Sequence, residues 1–334
     1  MKPFMKYPGG KTKEVPLVRT YMPLNIERYF EPFVGGGSVY FDLNIHPSFI
    51  NDFSFDLINL YTLVQQQDEA LHNLLIIFDN IWHLLDEREI NQNDLIGLEN
   101  FLADDYLKNC HQANARKQRT IRKLINEGHE LDNNNINNIR ITARKTAFYM
   151  MVRKQYNLQP NNNAMRAATY FFLREYCYSS MFRFSNNGEF NVPYGGMSYN
   201  NKFLINKIDE MFSVEMHNYM ADTTIQQNDF EDFLNQYEFN DMDFIFLDPP
   251  YDSDFSTYDQ NPFDRNEQIR LRDFLTHTNA KWMLIIKKTD FINELYRDFH
   301  VYEYGKNYMV SFKNRNDKNV SHLLITNYQL QEVQ

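Results

Sequence analysis

The sequence predicts an α/β fold, a Rossmann-like sheet whose two halves are separated by a long and mainly helical insertion. Strand-like and helical segments alternate before position 52 and again after position 201, an order that is typical of a parallel sheet. Between about 56 and 183 the apolar residues recur at spacings of three and four, which favours helices. The chain of 334 residues is long enough for one sheet domain with such an insertion.

The first elements are a strand, a glycine turn, a helix and a second strand. Their sequences are ERYFEPFV, GGG, SVYFDLNI and FIND. Glycines at a strand-to-helix turn let the backbone approach a ligand closely, and the start of the helix offers free N–H groups. A tight turn that binds nothing explains three glycines equally well. The turn matches neither GxGxxG nor GxxxxGK[ST], so any cofactor here is expected to lack phosphates.

Asp52 stands at the end of the second strand, where a carboxylate can accept hydrogen bonds from a ribose. Asp56 is the competing candidate, although an aspartate at the start of a helix is ordinarily a cap. Together with the glycine turn, these residues predict a nucleoside-containing cofactor at the carboxyl edge of the sheet.

The helical insertion carries an uneven charge. The chain has a formal net charge of −10, yet residues 112–154 contain ten Lys or Arg against three acidic residues. A solvated helical face and a phosphate-binding face both fit this composition. The polar run DNNNINN at 132–138 is predicted to be an exposed loop between helices. In FRFSNNGEFNVPYGG, aromatic residues on either side of Asn187-Gly188 predict a β-hairpin, a shape that can enter a DNA groove.

After position 201 the alternation of strands and helices resumes. The pattern predicts a short helix to Met211, a strand near Val214 to Tyr219, a helix from Phe230 and a strand from Phe244 to Leu247. It then predicts a helix near 265–278, a strand WMLII and a closing antiparallel pair, NYMVSF and HLLITNY.

The strand at 244–247 ends in Asp248-Pro249-Pro250-Tyr251. It delivers the carboxylate of Asp248 to the carboxyl edge, where open α/β sheets bind ligands. The two prolines have no N–H donors, so their main chain offers only acceptors, and Tyr251 adds a flat ring. Such a site suits an exocyclic amine on a planar ring, such as that of adenine, and rejects a keto group. A rigid turn that ends the strand also explains the tetrapeptide taken alone.

Several motifs in order resemble those of the Dam-type, α-ordered DNA adenine N6-methyltransferases. KYPGGK at 6–11 is similar to the family's KWAGGK, while EPFVGGGSVYF at 31–41 and INDFSFDLINLY at 50–61 resemble its next two motifs. FRFSNNGEFNVPYG resembles its hairpin, and DPPY follows in the family's order. The resemblance spans nearly the whole chain. The chain departs from it at Ser179-Ser180, where relatives have Asn-Gly, and at Gly196-Met197, where they often place a basic residue, so the target sequence stays open.

The resemblance implies a role for each matching residue. Asp248, Pro249, Pro250 and Tyr251 are expected to hold the target base as the catalytic group. The residues expected to bind the cofactor are Tyr7, Lys11, Pro32, Phe33, Gly35, Gly37, Ser38, Asp52, Asp229, Phe230 and Asp248. The residues expected to contact DNA are Arg116, Lys117, Arg119, Arg122, Lys123, Ser179, Arg183, Asn186 and Pro193. A helix cap explains Asp229 equally well.

The resemblance also implies the domains, the cofactor and the partners. Residues 1–56 and 197–334 are expected to form the catalytic domain, a class I methyltransferase sheet with a terminal antiparallel hairpin. Residues 57–196 are expected to form a helical target-recognition domain with its β-hairpin near 182–193. The expected cofactor is S-adenosylmethionine, which becomes S-adenosylhomocysteine, without a metal. The expected partners are double-stranded DNA and a cognate restriction endonuclease that acts independently. Apart from the resemblance, no stretch approaches about 18 consecutive apolar residues and MKPFMKYPGGK lacks an apolar signal-peptide core, so the expected location is the cytoplasm, without a membrane.

The resulting hypothesis is a site-specific DNA adenine N6-methyltransferase, either in restriction-modification or solitary, that acts on an adenine flipped out of the duplex. Two alternatives stay open. One is methyl transfer to an RNA adenine or a protein glutamine, which would favour Asn in place of Asp248 and would not need the insertion. The other is a DNA-binding protein that has lost catalysis, which would not need an intact Asp248, Tyr251 and glycine turn.

Overall fold

The computed structural model describes residues 1–7, 9–98, 101–128, 132–158, 163–251, 263–306 and 320–330. The chain divides into two compact units. The first, called the sheet unit below, comprises Met1–Pro3, Gly9–Ile58 and Tyr219–Gln334. The second, called the helical unit, comprises Phe4–Pro8 and Asn59–Asn218.

The sheet unit is built on seven strands in the order β3-β2-β1-β4-β5-β7-β6. The strands are β1 (Arg28–Glu31), β2 (Ser48–Asn51), β3 (Thr223–Gln226), β4 (Asp243–Leu247), β5 (Lys281–Lys287), β6 (His300–Lys306) and β7 (Val320–Thr326). Strands β1 to β5 run parallel to one another, whereas β7 is antiparallel to both β5 and β6. The predicted α/β class, with a mostly parallel sheet and an antiparallel end, is confirmed.

The core of the sheet follows from the apolar runs in its central strands. All five residues of β4 are buried, as are the five inner residues of β5. Apart from Asp243 these buried residues are apolar, and continuous apolar runs of this kind are typical of a parallel sheet covered on both faces. Because β1 lies between β2 and β4, the order of the strands reverses there, and the carboxyl ends of β1 and β4 lie side by side.

Twelve α-helices occur in the described residues. In chain order they are α1 (Val15–Tyr21), α2 (Ser38–Leu43), α3 (Phe55–Gln65), α4 (Glu69–Glu87), α5 (Ala103–Asn126), α6 (Asn133–Leu158), α7 (Ala164–Tyr176), α8 (Ile205–Met211), α9 (Val214–Ala221), α10 (Phe230–Leu234), α11 (Arg265–His277) and α12 (Asp290–Leu295). None of the helices in these residues is both long and apolar enough to cross a membrane.

The helical unit has an aromatic core. Phe78 and Trp82 of α4 each contact Phe172 of α7 edge-on, with ring centres 5.5 and 5.4 Å apart. Phe148 of α6 contacts the same phenyl ring from 5.6 Å. Edge-to-face pairs of this kind contribute about 0.5–1.5 kcal/mol each beyond the area that they bury, so α4, α6 and α7 form the fixed frame of this unit.

Two predictions of secondary structure are wrong. The segment from Val214 to Tyr219, a strand by its sequence pattern, belongs to α9, because the hydroxyl of Ser213 accepts a hydrogen bond from the N–H of Met216 at 3.1 Å and thus caps a helix. Of residues 132–138, a loop by their composition, positions 133–138 form the start of α6 and Asp132 directly precedes it. There the carboxylate of Asp132 accepts from the N–H of Asn135 at 2.7 Å, and this capping outweighs the low helix propensity of asparagine.

The closing pair of strands differs in part from the prediction. HLLITNY, at 322–328, overlaps most of β7, but the hairpin partner of β7 is β6, which the sequence pattern does not predict to be a strand. NYMVSF, at 307–312, lies outside the described residues. Strand β6 escapes the pattern because it begins with His300 and contains Glu303 and Lys306, so its alternation of apolar and polar residues is weak.

Candidate active site at the carboxyl edge of the sheet

The loop after β1 and the end of β2 are joined by hydrogen bonds to Asp52. The N–H of Gly35 donates to Asp52 Oδ2 at 3.0 Å, and the N–H of Ser54 donates to Oδ1 at 2.9 Å. Gly35 and Gly37 have φ angles of 49° and 69°, a region that glycine enters without the steric cost of a Cβ. Asp56 lies in the first turn of α3. The glycine turn is thus held against the carboxylate of Asp52.

Asn51 extends this network to the loop after β3. Its side-chain Nδ2 donates to the carbonyls of Pro32 at 3.1 Å and Asn228 at 3.0 Å, while its Oδ1 accepts from the N–H of Asn228 at 2.8 Å. One buried amide therefore fixes the loops that follow three neighbouring strands. The sequence motif contains Asn51, but spacing alone gives no indication of this role.

Asp248 follows β4 and forms an ion pair with Lys11. The ammonium group of Lys11, whose side chain is only 3% exposed, contacts Asp248 Oδ1 and lies 5.1 Å from the centre of the Tyr251 ring. Pro249 is buried and Pro250 is exposed. The carbonyl of Pro250 accepts a hydrogen bond from Gln268 Nε2 at 3.1 Å. The N-terminal motif and the tetrapeptide, 237 positions apart, therefore meet at this edge.

The pair Asp229-Phe230 lies at the start of α10. Asp229 caps this helix by accepting from the N–H of Glu231 at 3.0 Å, and it also forms an ion pair with Arg270. The ring of Phe230 is buried, and its centre lies 5.5 Å from that of Phe33 in the loop after β1. The capping explanation of Asp229 is confirmed, and the residue also stands beside the aromatic side of the glycine turn.

The start of the chain touches the glycine turn at a second place. The hydroxyl groups of Thr12 and Ser38 lie 3.2 Å apart. Ser38 begins α2 directly after Gly37, so the N-terminal segment contacts both the turn after β1 and the tetrapeptide after β4. In the sheet unit, the structure gathers every predicted cofactor residue except Tyr7.

Tyr7 belongs to the helical unit. There the guanidinium of Arg174 lies 4.5 Å from the centre of its ring, and the N–H of the preceding residue, Lys6, donates to the buried carboxylate of Glu175 at 3.0 Å. The predicted role of Tyr7 at the cofactor stays a prediction.

Glu31 is a buried carboxyl group that the sequence analysis did not single out. It ends β1, directly before the glycine turn, and its Oε2 accepts a hydrogen bond from the hydroxyl of Tyr29 at 2.6 Å. Burial raises the pKa of Glu31 to about 8, although the hydrogen bond from Tyr29 opposes this shift. Gln268 and Arg270 were missed as well. They lie on α11 outside every motif, so only the fold brings them to the site.

The predicted DNA-contacting residues of α5 form an exposed stripe. Arg116, Arg119, Arg122 and Lys123 are exposed and Lys117 is half-buried, and spacings of three and four place the exposed four on one face of the helix. Other basic residues of the block serve the fold instead. They are Arg144, which donates to the carbonyls of Leu85 and Asp86, Lys145, which pairs with Asp86, and Lys154, which pairs with Asp105.

Four residues predicted to contact DNA are exposed, three in the predicted hairpin and Ser179 in the short turn before it. The exposed residues are Ser179, Arg183, Asn186 and Pro193. Phe184 pairs with Phe190 across the hairpin, and the N–H of Gly188 donates to the carbonyl of Ser185 at its turn. Beneath them the buried rings of Phe182 and Phe190 stack with centres 4.3 Å apart. These rings form an aromatic base that holds the polar residues of the hairpin at the surface of the helical unit.

Comparison with known proteins gives a consistent result across the chain. The family model described as D12 class N6 adenine-specific DNA methyltransferase matches residues 7–94 and 93–310. The type II methyltransferase M.CviBI of Paramecium bursaria Chlorella virus NC1A is 27% identical over 335 residues, which cover 98% of this chain and 100% of the viral protein.

Two further relatives come from an archaeon and a bacterium. The type II methyltransferase M.MjaIII of Methanocaldococcus jannaschii is 27% identical over 349 residues and covers 98% of this chain and 99% of its own. The DNA adenine methylase of Haemophilus influenzae is 23% identical over 307 residues, with 88% of this chain and 82% of its own covered. The family model spans both the glycine turn and the tetrapeptide after β4.

Proposed function

The chain belongs to the D12 class of N6 adenine-specific DNA methyltransferases, and we propose that the carboxyl edge of its sheet is the site of methyl transfer to an adenine turned out of duplex DNA. The class makes the protein a DNA adenine N6-methyltransferase that depends on S-adenosylmethionine. The observation that carries the proposed site is the meeting of the glycine turn, Asp52 and the Asp248–Tyr251 tetrapeptide where the strand order reverses.

The residues around the glycine turn fit S-adenosylmethionine. Asp52, held at the turn by the N–H of Gly35, offers a carboxylate for the ribose hydroxyls. Phe33 and Phe230 offer apolar faces for the adenine of the cofactor, and Asp229 offers an acceptor for its amino group. When bound, the cofactor supplies an electrophilic methyl group on a sulfonium centre. The protein residues need only bind it and aim it.

The tetrapeptide offers hydrogen-bond acceptors that can activate the weakly nucleophilic amine of adenine. The lone pair of the adenine amine is delocalised into the ring, so the amine must be held with its lone pair localised and aligned for displacement. The carboxylate of Asp248 and the carbonyl of Pro249 would accept the two N–H groups, which favours the positive charge that develops on nitrogen. Lys11 holds the carboxylate in place. The ring of Tyr251 would stack on the base once it has left the duplex.

The helical unit offers a surface for DNA. The stripe on α5 presents guanidinium and ammonium groups that suit phosphates, whose neutralisation dominates DNA affinity. The hairpin presents Arg183, whose guanidinium can bond bidentately to guanine and equally to a phosphate. We assign phosphate binding to the stripe and target contact to the hairpin.

One experiment tests the proposed function directly. The gene is expressed in a host without adenine methylation, and modified adenines are mapped across the genome by single-molecule sequencing. The expected result is N6-methyladenine within one short sequence motif, and its absence from cells that produce the Asp248→Ala variant. A wild-type protein that is present, folded and binds S-adenosylhomocysteine but leaves the genome unmodified would contradict the proposal.

A restriction partner is proposed on a separate observation. Both M.CviBI and M.MjaIII are named type II methyltransferases, so we infer that this chain protects DNA against an endonuclease with the same target. Genomic DNA from the expression host should then resist cleavage by endonucleases that recognise the mapped motif. Complete cleavage at modified sites would argue for a solitary role.

A further inference from the structure

Helix α11 contacts the candidate site twice, through two residues that no motif marks. Gln268 donates from Nε2 to the carbonyl of Pro250 at 3.1 Å, on the side of the tetrapeptide. Two positions further, Arg270 forms an ion pair with Asp229, on the side of the glycine turn. One rigid element of 13 residues therefore reaches both halves of the site.

Arg270 is held among acidic groups and one ring. Besides its ion pair with Asp229, its Nε lies 2.9 Å from Glu231 Oε2 and its Nη1 lies 3.0 Å from Glu267 Oε2. Its guanidinium also lies 4.5 Å from the centre of the Phe230 ring. A planar guanidinium that pairs with a carboxylate and stacks on an aromatic face at once fixes the direction of both. Arg270 thus orients Asp229 and Phe230 together.

Gln268 is buried in a way that stability alone does not explain. Its side chain is fully buried, and its Oε1 has no hydrogen-bond partner among the described residues. A buried acceptor without a partner destabilises the folded state, and an apolar side chain of similar shape would avoid that cost. The one hydrogen bond that the side chain does make within the described residues goes to the Pro250 carbonyl. The hydrogen bond to the tetrapeptide therefore explains why a glutamine stands at this buried position.

We propose that α11 positions the two halves of the active site separately, with Arg270 holding Asp229 and Phe230 against the cofactor and Gln268 holding the peptide of Pro250 beneath the target base. The proposal rests on the proposed function. The Pro250 carbonyl already accepts a hydrogen bond from Gln268. The acceptors that remain for a primary amine are the Asp248 carboxylate and the Pro249 carbonyl, one for each of its two N–H groups. Neither Gln268 nor Arg270 touches the reacting atoms, so both are positioning residues.

The experiment separates the two halves by kinetics and binding. Unmethylated genomic DNA and S-adenosylmethionine serve as substrates, and S-adenosylhomocysteine is titrated calorimetrically without DNA. For Arg270→Met we expect the Kd of S-adenosylhomocysteine and the KM of S-adenosylmethionine to rise by about tenfold or more, with kcat within about threefold of the wild type. For Gln268→Met we expect the reverse, a kcat lower by about tenfold or more and an unchanged Kd.

Two further variants keep the test decisive when a substitution also lowers stability. Arg270→Lys retains the charge without the planar fork and should give an intermediate KM. Gln268→Glu can donate to the Pro250 carbonyl only when protonated, so its kcat should fall with rising pH more steeply than that of Gln268→Met. If Arg270 and Gln268 had only a structural role, the folded fraction of each variant would show the KM and the pH dependence of kcat of the wild type.

Arg272→Met provides the matched control. Arg272 lies on the same helix, but its guanidinium pairs only with the adjacent Asp273 among the described residues, so both kinetic constants and the Kd should stay unchanged. Equal effects of Arg270→Met and Gln268→Met on kcat and on Kd would overturn the separation. An inactive wild type would instead overturn the proposed function, and the two failures are therefore distinguishable.

Discussion

The two units of the molecule bury charged side chains for different purposes. In the sheet unit the buried ammonium of Lys11 meets Asp248 at the end of a strand, beside the glycine turn. In the helical unit the buried carboxylate of Glu175, on α7, meets Lys202 and Lys207. The first pair stands at an edge where loops converge, whereas the second joins α7 to α8 and to the segment before α8.

This difference shows that burial of a charge does not by itself mark an active site. Both units contain buried ion pairs, and both pairs carry the cost of removing charges from water. What distinguishes the pair is the place of Asp248 at the carboxyl end of the parallel strand β4, the edge where open α/β sheets bind ligands. Substitutions at the two pairs should therefore affect activity and stability in different proportions.

The largest expected effect follows from Asp248→Ala. We expect methyl transfer to fall by at least about 10³-fold, because the substitution removes one of the two acceptors that we propose for the amine. The variant should also be less stable, because it leaves Lys11 buried without its carboxylate. Turnover with S-adenosylmethionine and unfolding in urea measure the two effects.

A double substitution separates chemistry from stability at this ion pair. Lys11→Met with Asp248→Ala removes both charges, so the free energy of unfolding should recover relative to Asp248→Ala while activity stays absent. Recovery of activity along with stability would show that Asp248 acts only through the fold.

The next largest effect is expected in the helical unit, at Glu175. Although burial alone would raise it, Lys202 and Lys207 lower the pKa of Glu175. Glu175→Ala leaves both ammonium groups without this carboxylate, and we expect the free energy of unfolding to fall by about 3 kcal/mol, the lower end of the range for broken buried pairs because the lysines are partly exposed.

Activity completes the comparison at Glu175. In contrast to Asp248→Ala, kcat per folded molecule should stay within about threefold of the wild type. Glu175→Gln is the matched variant, since it keeps an acceptor for the N–H of Lys6 and removes only the charge. A loss of stability below about 1 kcal/mol would mean that both ammonium groups reach water unaided.

The sequence is sufficient to predict the sheet and most of its edge, because short-range patterns determine them. The alternation of strand and helix patterns predicts β1, β2, β4 and β5. The tetrapeptide after β4 can be recognised directly in the sequence. Strands β3 and β6 were not predicted and α9 was predicted to be a strand, because capping residues and pairing partners, which a local pattern does not show, determine these elements. Arg270 could not be predicted, since its importance arises from contacts with Asp229 across 41 positions.

The charge block of the helical unit shows the same limit. Composition predicts one basic region, but the fold divides it between an exposed stripe on α5 and cations such as Arg144 and Lys145 that hold α6 to α4. A sequence gives the number of charges, whereas only the packing shows which of them are already paired.

A third prediction concerns the pH dependence of stability at Glu31. Its pKa of about 8 in the folded protein lies above the value of about 4.3 for an unfolded glutamate. The folded state therefore holds the proton between these values, and stability falls as the pH rises through this window. Between about pH 6 and pH 8 this one group should lower the free energy of unfolding by about 2 kcal/mol.

Glu31→Gln isolates this contribution. Glutamine keeps an acceptor for the hydroxyl of Tyr29 but does not titrate, so the stability difference between variant and wild type should grow in favour of the variant from about pH 6 to about pH 8. Urea unfolding at several pH values measures it. A difference that is independent of pH would show that Glu31 is ionised throughout, and would place this carboxylate with the functional charges of the sheet unit.

The smallest expected effect lies on the exposed stripe of α5. Replacing Arg122 and Lys123 with glutamine should weaken DNA binding and make it less sensitive to salt, with the slope of log K against log salt reduced by about 0.9 for each phosphate that the protein no longer neutralises. The control is Arg88→Gln with Lys154→Gln, which removes the same two charges from cations that pair with Asp94 and Asp105. If both double variants change the slope equally, net charge rather than the stripe attracts DNA. A change confined to α5 would show that the stripe binds DNA and that exposed positive charge elsewhere on the helical unit does not.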